Sequence, residues 1–177
     1  MKGIKGRRGK GSSRERKKPA RKKHLPARPP AMTHRFLDHP ADVGFAAHGR
    51  TLPQVFSAAA LALCDYGWEL NLVKTSEAIT LRVRAATLED LLYSWLSEVL
   101  FLTDAEGWVF KSFRVDKVEQ TPGREGQALW EAVGQAQGEH FDQERHRART
   151  YIKAVTYHQL AVTQTRSGWQ ATVYLDV

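Results

Sequence analysis

The chain of 177 residues has one cysteine, Cys64. That excludes an internal disulfide and any site built on paired cysteines, and it suits a reducing, cytoplasmic setting in which Cys64 is a buried structural thiol. Long apolar runs are also missing. The longest, Ala58 to Cys64, has seven residues, against the roughly 20 needed to cross a bilayer, so no membrane partner is expected. No phosphate-binding loop is present: "GIKGRRGK" spaces its glycines wrongly and runs into Gly11 rather than Ser or Thr. No G-x-G-x-x-G follows a strand-like segment. Ser57, Ser94 and Ser97 fall in helical patterns, not in a G-x-S-x-G elbow. Generic nucleotide hydrolysis and thiol chemistry therefore lack their usual signatures.

Acid is nearly absent from the first 31 residues, where thirteen Lys or Arg face only Glu15. The balance there is +12, so the remaining 146 residues carry −4 of the total of +8. This Gly-, Ser- and Pro-rich stretch has too little apolar surface to offset its ordering entropy, so residues 1–31 are expected to form a disordered basic tail. Such an arm suits RNA phosphates or an acidic protein surface, but a solvated extension, or a start at Met32, is equally compatible. It has no apolar core or cleavage site of a signal peptide.

From 32 to 177 the pattern predicts one α+β domain, with a mixed or antiparallel sheet covered by two helices. "HRFLDH" and "VGFAAHG" are strand-length pieces separated by "PAD". Thr51, Pro53 and Gly67 bracket a helix, and Thr87 with Asp90 opens a second. That second helix carries an apolar stripe of Leu88, Leu91, Leu92, Trp95, Val99 and Leu102. Ile79, Leu81 and Val83 alternate as a half-buried strand. "WVFKSFRVDKVEQ" alternates with one slip, and "QALWEAVGQAQGE" reads weakly as strand. A hairpin turning at Arg166–Ser167–Gly168 closes the chain, with Trp169, Ala171, Val173 and Leu175 on one face.

Two acidic stretches invite a metal reading. "EHFDQERH" crowds His140, Asp142, Glu144 and His146, but not at the i, i+4 spacing of a helical zinc site, so a solvated loop is expected. At the other stretch, Asp176 stands beside Val177 and its terminal carboxylate, an oxygen pair of the kind that hard cations favour. For an arbitrary protein a merely frayed chain end is the commoner case, and nothing local brings the early Asp42 of "HPADVG" to it.

Taken together, "HRFLDHPADVGFAAHGRTLPQVFSAAALALCDY", "GEHFDQERH", "IKAVTYHQLAV" and "GWQATVYLDV" resemble the archease family, in that order and over about His34 to Val177. The resemblance implies a small α+β protein that activates the GTP-dependent RtcB-type RNA ligase. It would promote guanylylation of the ligase and multiple turnover in tRNA splicing and RNA repair, as a protein cofactor and not an enzyme. It also implies a metal site of Asp42, Asp176 and Val177, the last through its carboxylate. Calcium is the ion expected from the family, with Mg²⁺ or Mn²⁺ as alternatives. RNA and GTP would be met through the ligase, and the basic tail would add an RNA contact. Many relatives carry Thr where Pro40 stands, a change that leaves the Asp42 carboxylate untouched.

Lys153 and His158 match recurring family positions and are candidates for nucleotide or partner contact. Lys153 would meet a phosphate or pair with an acid of the site; His158 would be a ligand or proton carrier. A surface lysine and a structural histidine are the bland readings. His39, Arg145 and His146 are further candidate contacts. Two rival functions stand beside the activator: a free-standing metal-dependent enzyme acting on RNA or nucleotides, and an RNA-binding chaperone working through the tail.

Overall fold

The computed structural model describes residues 32–37, 43–123 and 127–177. The expectations for the tail at 1–31 and for His39, Pro40 and Asp42 lie outside the described residues. In chain order the elements are β1 (Thr33–Leu37), β2 (Val43–Gly49), α1 (Leu52–Gly67), β3 (Glu77–Ala85), α2 (Leu88–Glu106), β4 (Trp108–Pro122), β5 (Ala128–His140), β6 (Ala154–Thr165) and β7 (Gly168–Asp176). A short 3₁₀ turn at Leu70–Leu72 follows α1.

Both helices start where their caps predict. The Thr51 hydroxyl accepts the Gln54 amide, with a proline in the first turn, and the Thr87 hydroxyl accepts the Asp90 amide at 3.1 Å. Gly107, left-handed at φ 73°, terminates α2. All six residues of the α2 stripe pack into the core, Leu88 only in part.

The single sheet expected from the sequence is in fact two: β1-β2-β7-β6 and β3-β5-β4, with every described pairing antiparallel. The reason lies in α1. Its buried residues include Val55, Phe56, Ser57, Ala58, Ala59, Ala60, Ala62, Leu63 and Cys64. At about 100° per residue these cover most of the helix circumference, more than one sheet can bury. Accordingly α1 packs against β2 and β7 on one side and β4 on the other, while α2 packs against β6 and β3.

β4 slips twice rather than once, with register shifts between Phe110 and Ser112 and between Val115 and Lys117. At the second shift the Val115 amide donates to the Ser57 hydroxyl at 3.0 Å, and that hydroxyl donates to the Pro53 carbonyl at 2.9 Å. Ser57 thus fastens a bulge to a helix. Cys64 is buried as expected, and burial, reinforced by neighbouring Asp65, pushes its thiol far above the usual range. In the final hairpin Gly168 has φ 145°, and a Cβ there would lie 2.2 Å from the Gly49 carbonyl oxygen. Among the described residues, no helix is long and apolar enough to cross a membrane.

Candidate metal-binding chain end

β7 sits between β2 and β6, so its last residues are flanked on both sides. On one side Val43 pairs with Leu175 and Gly44 with Tyr174. On the other, Ala154 pairs with Asp176 and Val155 with Leu175. Leu175 points into the core and Asp176 outward, following the alternation of the strand. Gly44 has a steric reason: a Cβ there would lie 2.9 Å from Cδ1 of Tyr174. The glycine of "HPADVG" lets the Tyr174 ring lie across β2.

Lys153 is the third component. Its backbone amide donates to the Asp176 carbonyl at 2.8 Å. Its Nζ donates to the Val177 oxygen at 2.9 Å and stands 3.7 Å from Asp176 Oδ1. Lys153 and Asp176 are both more than half exposed, so solvent screens the pair and it adds at most about 1 kcal/mol to stability. The structure therefore brings together Asp176, Val177 and Lys153, with oxygen donors alone on the acidic side. Among the described residues, no three His, Cys, Asp or Glu side chains converge as a metal site.

His158 lies in a wide bulge of β6, between the pairs Thr156–Tyr174 and Ala161–Thr172. The next residue, Gln159, is left-handed at φ 49° and approaches the His158 Nε2 at 3.0 Å. The imidazole meets the edge of Tyr174 with ring centroids 5.4 Å apart. Tyr174 and Asp176 share one face of β7, so His158 is seated on the same side of the sheet as the acidic end. The bulge also swings Tyr157 against α2, where it stacks on Tyr93 at 4.2 Å and donates to Asp90 at 3.1 Å. Burial, with this bond to Asp90 second, raises the Tyr157 phenol above its ordinary value. The broken alternation of "TYHQL" was the only sequence signal for this contact.

Arg145 and His146 belong to a different cluster: the loop is largely solvated, as expected, with Phe141, Gln143 and Glu144 exposed, but it is pinned at one point by a clamp on the buried Glu139. Glu139, 7% exposed, binds Arg145 through both guanidinium nitrogens, one at 3.0 Å, and accepts the Lys74 amide at 2.6 Å. His146 accepts the Asp142 amide at Nδ1, so Nε2 carries the hydrogen that faces Glu139 at 3.1 Å. Arg145 foremost, with the Lys74 amide and His146 after it, holds the Glu139 carboxyl down at about 2 against the opposing effect of burial. The His146 side chain has no exposed surface, so it meets no partner directly; its work is to pin the loop. Sequence reasoning missed Glu139 although its main partner Arg145 is only six residues on, because charge alone does not distinguish a paired carboxylate from a hydrated one; the Lys74 amide that completes its partners is 65 residues away. A second buried carboxylate, Glu131, is closed in by Lys117 and Arg84, each at 2.7 Å, with Arg82 at 3.7 Å.

Comparison with known proteins agrees with this architecture. The family described as "Archease protein family (MTH1598/TM1083)" matches residues 34–177. "Protein archease" of Methanosarcina barkeri (strain Fusaro / DSM 804) is 38% identical over 144 residues, covering 81% of this chain and 95% of that protein. Its counterpart in Pyrococcus furiosus is 38% identical over 141 residues, covering 79% and 95%. The solution structure of Methanobacterium thermoautotrophicum protein 1598 superposes with a TM-score of 0.67 at 31% identity, over 81% of this chain and 98% of that one. The chain therefore belongs to the archease family of RNA-processing cofactors.

Proposed function

We propose that this chain is a cytoplasmic activator of a GTP-dependent RtcB-type RNA ligase. It promotes guanylylation of the ligase's active-site histidine, and so repeated turnover, while catalysing no reaction itself. The ligase in question joins RNA ends bearing a 2′,3′-cyclic phosphate or 3′-phosphate to 5′-hydroxyl ends. Asp42, Asp176 and the Val177 carboxylate would hold a divalent ion, for which an all-oxygen donor set is suited to Ca²⁺, Mg²⁺ or Mn²⁺. Bound there, the ion would supply charge for phosphate oxygens during nucleotide transfer.

The observation that supports this reading is the register of β2 against β7. Val43, the residue after Asp42 in sequence, stands opposite Leu175, the residue before Asp176. The Lys153 ammonium occupies the Val177 oxygen and gives it up to a divalent ion that binds there. It also lowers the repulsion among the acids before a cation arrives. His158 is seated on the same face, against the edge of Tyr174.

A guanylylation assay with the cognate ligase tests the proposal. The chain alone turns over nothing; added to the ligase it restores multiple turnover. Asp42→Ala abolishes the stimulation while leaving the melting temperature in metal-free buffer nearly unchanged. Full stimulation by Asp42→Ala would end the metal-site mechanism, and RNA processing by the chain with GTP and Mn²⁺ but no ligase would favour the free-standing enzyme.

A further inference from the structure

The sheet β3-β5-β4 buries one face and leaves the other open. Ile79, Ala136 and Phe113 form one row across it and pack into the core. The alternate rows face outward: Thr80, Gln135 and Arg114 make one, Ala78, Gln137 and Ser112 the next. Arg82 and Arg84 continue this face along β3, opposite Val133 and Glu131, with side chains 61% and 53% exposed. None of these rows holds an aromatic residue, and Ala78 and Val133 are their only apolar members.

The acceptors of this face are taken up by its own donors. Glu131, 2% exposed although it points outward, accepts the Lys117 ammonium and the Arg84 Nε, each at 2.7 Å. Glu119 accepts the same lysine at 2.9 Å, and Asp116 accepts the Arg114 Nε at 3.0 Å. The glutamine carbonyls are engaged as well. Gln137 Oε1 accepts the Ser112 hydroxyl at 2.9 Å, and Gln135 Oε1 accepts Arg114 Nη2 at 3.3 Å. Donors are what remains. Among the described residues, nothing accepts from the amide nitrogens of Gln135 and Gln137 or from the two terminal nitrogens of Arg84. Arg82 stands 3.7 Å from Glu131, too far for a hydrogen bond.

A face with open donors and spent acceptors is complementary to a ligand that offers acceptors alone. A protein surface offers both, and the aromatic and apolar anchors that carry protein interfaces are missing here. A phosphodiester chain fits the description, with anionic oxygens at every unit and no donor among them. The spacing also suits it. Arg82 and Arg84 lie about 7 Å apart along β3, comparable to the separation of successive phosphates in one strand. From the row of Arg84 to the row of Gln137 is six residues, or about 20 Å, and the open donors stay within one strand spacing of a single line. With no aromatic ring to stack on, bases are not read. Contact is through the backbone, indifferent to sequence and sensitive to salt.

We propose that the open face of β3-β5-β4 binds the sugar–phosphate backbone of single-stranded nucleic acid. Arg82 and Arg84 pair with successive phosphates, and the Gln135 and Gln137 amides donate to phosphate or sugar oxygens further along. Glu131 is a positioning residue: by holding Arg84 at Nε it leaves the other two guanidinium nitrogens for the ligand. The face belongs to a different sheet from the chain end, so this inference stands apart from the metal and ligase readings.

The test titrates the full chain with a short oligouridylate at low salt and follows it by NMR. The side-chain amide signals of Gln135 and Gln137 and the backbone amides of Arg82 and Arg84 should shift and saturate, and oligocytidylate should act alike. The double variant Gln135→Glu/Gln137→Glu keeps the oxygens that Arg114 and Ser112 use, so its melting temperature should be unchanged. It sets two carboxylates against the phosphates and should weaken binding, read at Arg82 and Arg84, about thirtyfold. Arg82→Gln should lower the slope of log affinity against log salt by about 0.7, the share of one phosphate contact. Three results overturn the proposal: shifts confined to other residues, a double variant that binds as tightly as wild type, or polyaspartate of matched charge moving the same signals equally well, which would make the occupant an acidic polypeptide.

Discussion

Replacing Lys153 by methionine separates the chain end as a cation site from the chain end as scaffold. The Nζ lies 2.9 Å from the Val177 oxygen and 3.7 Å from Asp176 Oδ1, so a divalent ion drawn to those oxygens must share them with an ammonium. Two unit charges at 4 Å in water interact by about 1 kcal/mol, and a divalent ion doubles this to about 2 kcal/mol. Removing the lysine should therefore tighten divalent binding roughly thirtyfold. The cost to the fold should be small, because an exposed ion pair contributes about 0–1 kcal/mol. That corresponds to a fall in melting temperature of no more than about 4 °C. Titration calorimetry with CaCl₂ and MnCl₂ at low ionic strength reads the first quantity, and calorimetric melting in chelator reads the second. If Lys153→Met binds either ion no more tightly than wild type, the ammonium is not competing for those oxygens and the assignment of the site to the chain end fails.

Three further outcomes follow from contacts elsewhere. Ser57→Ala leaves the buried Val115 amide without its acceptor, at a cost of about 1–3 kcal/mol, seen as a lower melting temperature and faster hydrogen exchange at Val115. Glu139 has a folded-state pKa of about 2 against an ordinary 4.5; its contribution is thus complete above about pH 4.5 and is lost as pH falls from there toward 2. Melting temperature measured from pH 6 to pH 2 should fall in that window, less steeply in Glu139→Gln, and an identical slope in the variant would refute the clamp. Gly44→Ala forces a Cβ to 2.9 Å from both Tyr174 Cδ1 and the Val173 carbonyl oxygen; it should lower the melting temperature, and the second change Tyr174→Ala should recover only the side-chain part of the loss, the contact with the backbone oxygen remaining.

Local patterning made much of this fold readable. Thr51 and Thr87 announce their helices because a cap and the periodicity behind it are adjacent in sequence, and Arg166–Ser167–Gly168 announces its hairpin for the same reason. The division into two sheets was not readable, since alternation tells which residues of a strand are buried but not which strand lies beside it. The second slip in β4 depends on Ser57, 58 residues away, and the Glu139 clamp, though built mainly by nearby Arg145, is completed by the Lys74 amide 65 residues away. Their charged residues looked like a solvated loop because charge alone does not tell a paired side chain from a hydrated one. At the chain end, Asp176 and Val177 could be suspected as oxygen donors from the sequence itself. Only family resemblance linked them to Asp42, and Lys153 was expected to meet either a phosphate or an acid; in the fold it holds the acid.

Four alanines on α1, at positions 58, 59, 60 and 62, are each no more than 1% exposed, and the helix touches a sheet on either side. It works as a gauge block, setting how far apart the two walls of the molecule stand. A larger residue there would prise β2 and β7 away from β4, and overpacking of this kind costs about 1–3 kcal/mol. Change is therefore cheapest on the outward surfaces, where the chain end lies, and they can be altered without disturbing the spacing that holds them in place.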